Sequence, residues 1–113
     1  MPLVAKPSSL LVLTTFPERV AAEALARELL AARLAACIQI GAAVHSLYHW
    51  RDEIETADET PVAIKTRADL YPRLEAAIRA RHPYELPEIV AVPITHGLSA
   101  YLDWIVAETA AGG

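Results

Sequence analysis

The sequence predicts an α+β sandwich in which strands and helices follow the order βαββαβ, with one further helix at the end. Apolar, β-branched runs alternate with segments of helical spacing, and two long extended segments are separated by a short turn. The chain has 113 residues, of which 54% are hydrophobic and 21% charged, enough to bury a core without disulfides. We therefore expect one antiparallel sheet with both long helices on one side, built by a single domain over residues 9–113 after a loose tail at 1–8.

The first strand and helix are predicted from two adjacent segments of contrasting pattern. Ser9–Phe16 is a continuous apolar and β-branched run, typical of a strand that is buried on both faces. Pro17 suits the first turn of a helix, which we expect to continue to Leu34. Alanine dominates this helix, so two stripes of mostly small residues compete for the buried face: Val20, Ala24, Ala31 and Ala35, or Ala21, Leu25 and Ala32.

A long β-hairpin is predicted in the middle of the chain. Residues 36–50 are extended with a bend at Gly41, residues 51–53 form a turn, and residues 54–66 return as the partner strand. Pro61 lacks a backbone N–H and therefore belongs at an edge or a bulge. Because a two-stranded arm is poorly stable alone, we expect this hairpin to pack on another chain.

The second half of the chain repeats the helix and strand pattern. Asp69 is a suitable N-cap for a helix whose apolar residues recur at helical spacing: Leu70, Leu74, Ala77 and Ile78. A proline-stiffened loop over residues 82–88 leads into a strand at 89–94. The last helix is expected to bury one apolar face: Leu98, Tyr101, Leu102 and Ile105.

Composition excludes several classes of function. A net charge of −4 gives no basic face for general binding of nucleic acid or anionic membranes. No apolar stretch reaches the roughly 18–20 residues of a membrane span, and the early apolar run suits a strand better than a signal peptide. The single cysteine, Cys37, excludes an internal disulfide framework and fits a reducing, cytoplasmic compartment.

Catalytic machinery is not indicated by any motif, so we predict that the chain is not an enzyme. A nucleophile elbow, a P-loop and a dinucleotide fingerprint are all absent from the sequence. His45 and His49 lie on a predicted strand, where four residues span roughly 13 Å, too far for one metal ion. His82, which opens the proline loop, is the best metal candidate, although a hydrogen-bonded structural histidine is the stronger interpretation of it.

A polar and aromatic group remains, and it predicts either a pocket or a packed interface. Its members are Tyr48, Trp50, Lys65, Tyr84 and Glu88. Lys65 and Glu88 would form an ion pair if their strands were neighbours. In a pocket, Lys65 would supply charge and Tyr84 a hydroxyl for a small anionic ligand, whereas Trp50 is expected to be a packing anchor.

Five motifs taken together resemble the CutA (CutA1) divalent-cation tolerance family. They stand in the family's order over about residues 10–106: ARLAACI (32–38), SLYHW (46–50), IKT (64–66), HPYELPEI (82–89) and YLDWI (101–105). The resemblance implies a ferredoxin-like fold assembled as a homotrimer, a cytoplasmic location, and binding of divalent cations such as copper in metal tolerance.

The resemblance also bears on which residues would bind the cation. Some members of the family bind copper through a cysteine near the end of the first strand and two consecutive histidines before Pro-Tyr. Here Thr14 and Arg81 take two of those positions, so only His82 carries over, which implies weak binding of Cu(II) or another divalent cation. An alternative is a regulatory trimer similar to PII-type proteins, with a small anion in clefts between subunits lined by Lys65, Tyr84 and Glu88.

Overall fold

The fold is an antiparallel sheet with three helices, seen in a computed structural model that describes residues 8–110. The elements are β1 (Ser9–Phe16), α1 (Arg19–Ala31), β2 (Cys37–Ile40), β3 (Val44–Trp50), β4 (Glu53–Arg67), α2 (Tyr71–Arg81), β5 (Ile89–Pro93) and α3 (Ser99–Ala110). Most of the predicted tail, residues 1–7, lies outside the described residues. Ser8 is described, and its carbonyl accepts a hydrogen bond from the Ala68 N–H.

The sheet has the strand order β2-β4-β1-β5, with β3 also paired to β4. Every pairing is antiparallel. β4 is 15 residues long and lies first along β3 and then along β2, which together form one interrupted strand. The predicted α+β sandwich of the order βαββαβ plus a terminal helix is therefore confirmed.

One face of the sheet and two helices share the hydrophobic core. Alternate residues of β1 and β4, such as Val12 and Ile64, are fully buried against α1 and α2. On α2, Leu74 and Ile78 are fully buried, as the helical spacing predicts. Phe16 also lies in this core at the end of β1, where it contacts the ring of His82.

Helix α1 buries a face that shares only Leu25 with the predicted stripes. Its buried residues are Ala22, Leu25, Ala26 and Leu29. Val20, which headed one predicted stripe, is 83% exposed. Both stripes were wrong because they followed alanines, which occur on every side of this helix, whereas the two leucines at positions 25 and 29 mark the face that packs on the sheet.

The long hairpin projects from the core, and the described residues extend 57 × 25 × 23 Å. Its tip is the two-residue turn Arg51–Asp52, with φ values of 51° and 66°. Pro61 lies in a central strand, opposite the break between β2 and β3, and its carbonyl accepts a hydrogen bond from the Gly41 N–H. The absence of an N–H on Pro61 therefore leaves no strand hydrogen bond unmade, because this position faces the break between β2 and β3.

Two predicted details of the helices were wrong. Asp69 does not cap α2, because it belongs to a 3₁₀ turn over Ala68–Leu70 and its carboxylate lies 3.5 Å from the Arg67 guanidinium. Helix α3 buries Ile105 and Thr109, whereas Leu98 precedes the helix and is 75% exposed. α3 lies on the sheet face opposite α1 and α2, where it covers only part of that face and leaves other apolar residues in solvent.

Candidate functional site

His82 lies at the end of α2, where its ring connects the proline loop to β1. Its Nε2–H donates to the carbonyl oxygen of Thr15 at 2.6 Å, and its Nδ1 accepts from the backbone N–H of Tyr84 at 3.1 Å. The ring is half-buried between Phe16 and Tyr84, with centroid separations of 4.3 and 4.9 Å. Both nitrogens are thus occupied by backbone groups, and a cation could reach Nδ1 only by displacing the Tyr84 N–H.

A carboxylate that the sequence did not single out lies beside the proline loop. Glu59 accepts hydrogen bonds from the Thr15 hydroxyl, at 3.2 Å, and from the Tyr84 side chain. Burial raises the pKa of Tyr84 above its ordinary value, and the charge of Glu59 and the hydrogen bond to it raise it further. Tyr84 therefore stays a neutral donor that holds Glu59 in place.

Four of the five predicted cleft residues meet between the hairpin and the proline loop. Tyr48, Trp50 and Tyr84 line a cavity of about 290 Å³, together with Pro83, Glu85 and Leu86. A second cavity of about 370 Å³ shares Tyr48, Tyr84 and Leu86 with the first, and adds Thr15, Ser46, Leu47, Glu59 and Glu88. We call these two adjoining cavities the hairpin cleft.

Lys65 does not join the hairpin cleft. β1 lies between β4 and β5, so the predicted ion pair with Glu88 was wrong. Lys65 instead contacts α3, where its Nζ donates to the Tyr101 hydroxyl at 3.2 Å and lies 5.2 Å from the centre of that ring. Register pairs Thr15, beside the cleft, with Pro61, and four residues along β4 place Lys65 roughly 13 Å away. A small anion in this cleft would have no help from Lys65 of the same chain.

The remaining candidate ligands are dispersed. His45 pairs with Asp58 across the hairpin at 2.8 Å, and His96 contacts the Thr95 hydroxyl at 3.0 Å. Thr14 is 1% exposed, and its hydroxyl has no hydrogen-bond partner within residues 8–110. Over the same residues, no three histidine, cysteine or acidic side chains lie close enough to hold one metal ion. Residues 8–110 of a single chain therefore do not form a complete metal centre.

Apolar side chains remain in solvent on two surfaces outside the core. On the hairpin, Leu47 is 66% and Ile54 is 71% exposed. On β5, Val90 and Val92 are 49% and 48% exposed on the sheet face that α3 only partly covers. Within residues 8–110, no helix is long and apolar enough to cross a membrane.

Comparison with known proteins identifies the family. The family model described as CutA1 divalent ion tolerance protein matches residues 10–108. The divalent-cation tolerance protein CutA of Thermus thermophilus is 40% identical over 98 residues, which cover 87% of this chain and 95% of that protein. A CutA relative from Citrobacter koseri is 35% identical over 104 residues, covering 92% and 90% of the two chains.

Solved structures agree with the sequence comparison. The crystal structure of CutA1 from the psychrotrophic bacterium Shewanella sp. SIB1 superposes with a TM-score of 0.87 at 43% identity, covering 92% of this chain and 97% of that one. CutA1 from Oryza sativa also has a TM-score of 0.87, at 34% identity over 90% and 94% of the chains. This chain therefore belongs to the CutA1 divalent ion tolerance protein family.

Proposed function

We propose that the chain works as a homotrimer that binds divalent cations weakly and contributes to metal tolerance in the cytoplasm. Membership of the divalent ion tolerance family supports the general role. The observation that carries the assembly is the apolar surface on the hairpin and on β5, because isolated soluble chains rarely leave such contiguous surfaces uncovered. In this proposal the chain acts by binding and not as an enzyme.

Two free strand edges support an assembly of identical chains. Within residues 8–110, β3 pairs only with β4, and β5 pairs only with β1. Exposed edges and apolar side chains both favour contact with another strand or sheet. Contacts between two unlike surfaces of identical chains produce a ring when the rotation closes. We propose a ring of three copies, the number that the family resemblance implies.

The assembly is tested by sedimentation equilibrium at micromolar concentration. We expect Ile54→Glu and Val90→Glu to dissociate the trimer, because each places a charge in the proposed interface. Val20→Glu is the matched control, because Val20 is 83% exposed on α1, away from both surfaces. A wild-type protein that sediments as a stable, folded monomer would refute the assembly.

The geometry of His82 supports the proposal that any cation it binds is bound weakly. One imidazole is a poor site, and a metal at Nδ1 must replace the 3.1 Å hydrogen bond from the Tyr84 N–H. We expect calorimetric titration with Cu(II) to give weak binding that His82→Ala removes. His45→Ala is the control, because His45 is an exposed histidine paired with Asp58. Equal heats from His82→Ala and the wild type would exclude His82 as the ligand.

A further inference from the structure

We propose that the hairpin cleft binds a small organic cation, an ammonium group that carries apolar substituents. The lining residues named here belong to one chain, and the site does not use His82 as a ligand. Three features support it: aromatic walls, carboxylates at one end, and a cation of the chain itself already seated at the rim.

The walls of the cleft suit an ammonium group. Tyr48, Trp50 and Tyr84 supply three aromatic rings around the cavity of about 290 Å³, and Pro83 and Leu86 complete the apolar lining. Aromatic faces carry negative electrostatic potential and attract cations, and several rings around one space are the arrangement that recognises quaternary ammonium ligands. The volume is close to the lower end of the range for small-molecule sites, which limits the ligand to a small one.

The charges of the cleft favour a cation over an anion. Glu59 and Glu88 line the adjoining cavity, and Glu85 lines the aromatic one. Glu59 is held by the Thr15 hydroxyl and by Tyr84, so its position is fixed before a ligand arrives. Because the carboxylate is already in position, little free energy is spent on reorganising it when a ligand binds. Its attraction for a cation is also stronger in a half-buried cleft than on an open surface, because water screens it less.

A cationic group of the chain, on Arg51 at the hairpin tip, already makes the contacts that the proposed ligand would make. The guanidinium of Arg51 lies 5.4 Å from the centre of the Trp50 ring and 3.2 Å from the Glu85 carboxylate. Arg51 thus contacts an aromatic ring and a carboxylate together, and Glu85 is already paired with a cation of the chain itself. Glu59 and Glu88 are available to a ligand, because within residues 8–110 neither forms an ion pair with a basic group at 4 Å or less.

The inference is tested with three probes of equal shape and different charge. Choline supplies the cation, 3,3-dimethylbutan-1-ol is its neutral counterpart, and 3,3-dimethylbutanoate is a matched anion. Each is titrated into the assembled, isotope-labelled protein while the indole N–H resonance of Trp50 is followed by NMR. We expect a saturable shift with choline, at least about tenfold weaker binding of the alcohol, and no binding of the anion.

Two carboxylate variants separate charge from shape. Glu59→Gln and Glu88→Gln should each weaken choline binding about three- to tenfold and leave the binding of the alcohol unchanged. Glu23→Gln removes an exposed carboxylate on α1, and Tyr101→Leu removes a ring outside the cleft; neither should change choline binding. Two carboxylates are tested because Glu59 also bonds to Thr15, whereas Glu88 is exposed and can be changed without disturbing the fold.

The outcomes distinguish this inference from the proposed assembly. Absence of a saturable choline shift in a protein that sediments as a trimer would overturn the organic-cation site alone. Equal binding of choline and the neutral alcohol would also overturn it, because the cleft would then select only apolar shape. Saturable choline binding by a protein that sediments as a monomer would support the site and refute only the trimer.

Discussion

Replacing His82 by alanine should lower the free energy of unfolding by about 3 kcal/mol per chain. The imidazole makes two hydrogen bonds to backbone groups, each worth about 1 kcal/mol. Its contacts with the rings of Phe16 and Tyr84 add about 0.5 kcal/mol each, the lower end for aromatic pairs, because His82 is only half-buried. His82→Phe keeps the ring contacts and loses both hydrogen bonds, so it should cost about 2 kcal/mol.

Urea denaturation followed by circular dichroism measures both variants. All proteins are compared at one fixed concentration, because the proposed assembly would make the midpoint depend on concentration. His49→Ala is the control, since His49 is exposed on the hairpin and should change stability by less than about 0.5 kcal/mol. If His82→Phe were as stable as the wild type, the two hydrogen bonds would not be what holds the proline loop to β1.

Three further changes test other contacts. Thr66→Val keeps the volume of a fully buried side chain but removes its 2.7 Å hydrogen bond to the Leu34 carbonyl, and calorimetry should show a loss of about 1–3 kcal/mol. Ile78→Ala opens a cavity beneath α2 and should cost about 2–5 kcal/mol in urea; a smaller loss would mean that the core collapses around it. Burial, and then Glu59, raises the pKa of Tyr84 above its ordinary value of 10. The stability that Tyr84 contributes is therefore complete below pH 10 and is lost as the pH rises through the pKa in the folded protein. Tyr84→Phe should reduce this loss of stability at alkaline pH, and an unchanged pH profile would show that Tyr84 is not its source.

Strands with continuous apolar patterns could be located from the sequence alone. β1 has the bounds that its run of β-branched and apolar residues predicts, Ser9–Phe16. The bend at Gly41 also follows from the sequence. Pro61, predicted at an edge or a bulge, lies instead in the internal strand β4, opposite the break between β2 and β3. The buried face of α1 could not be found by counting apolar residues, since an alanine buries too little area to distinguish one side of a helix from another.

The site required information that only strand pairing supplies. Lys65 and Glu88 each sit beside an apolar strand, but the sequence does not say that β1 separates those strands. Glu59 belongs to a polar stretch of the hairpin that resembles an ordinary solvated arm. Its role emerges from the register between β1 and β4, which pairs Thr15 with Pro61 and so brings the Thr15 hydroxyl diagonally to Glu59.

The interruption between β2 and β3 allows the length of the hairpin arm to change independently of the pairing between β2 and β4. Because Gly41–Ala43 end the first pairing before the second begins, residue pairs added at the tip would lengthen the projection by about 3.4 Å each without altering the register of Cys37–Ile40 on β4. In the proposed assembly, insertions of even size at that end should therefore change how far the arm of one molecule reaches over its neighbour while leaving its own interior unchanged.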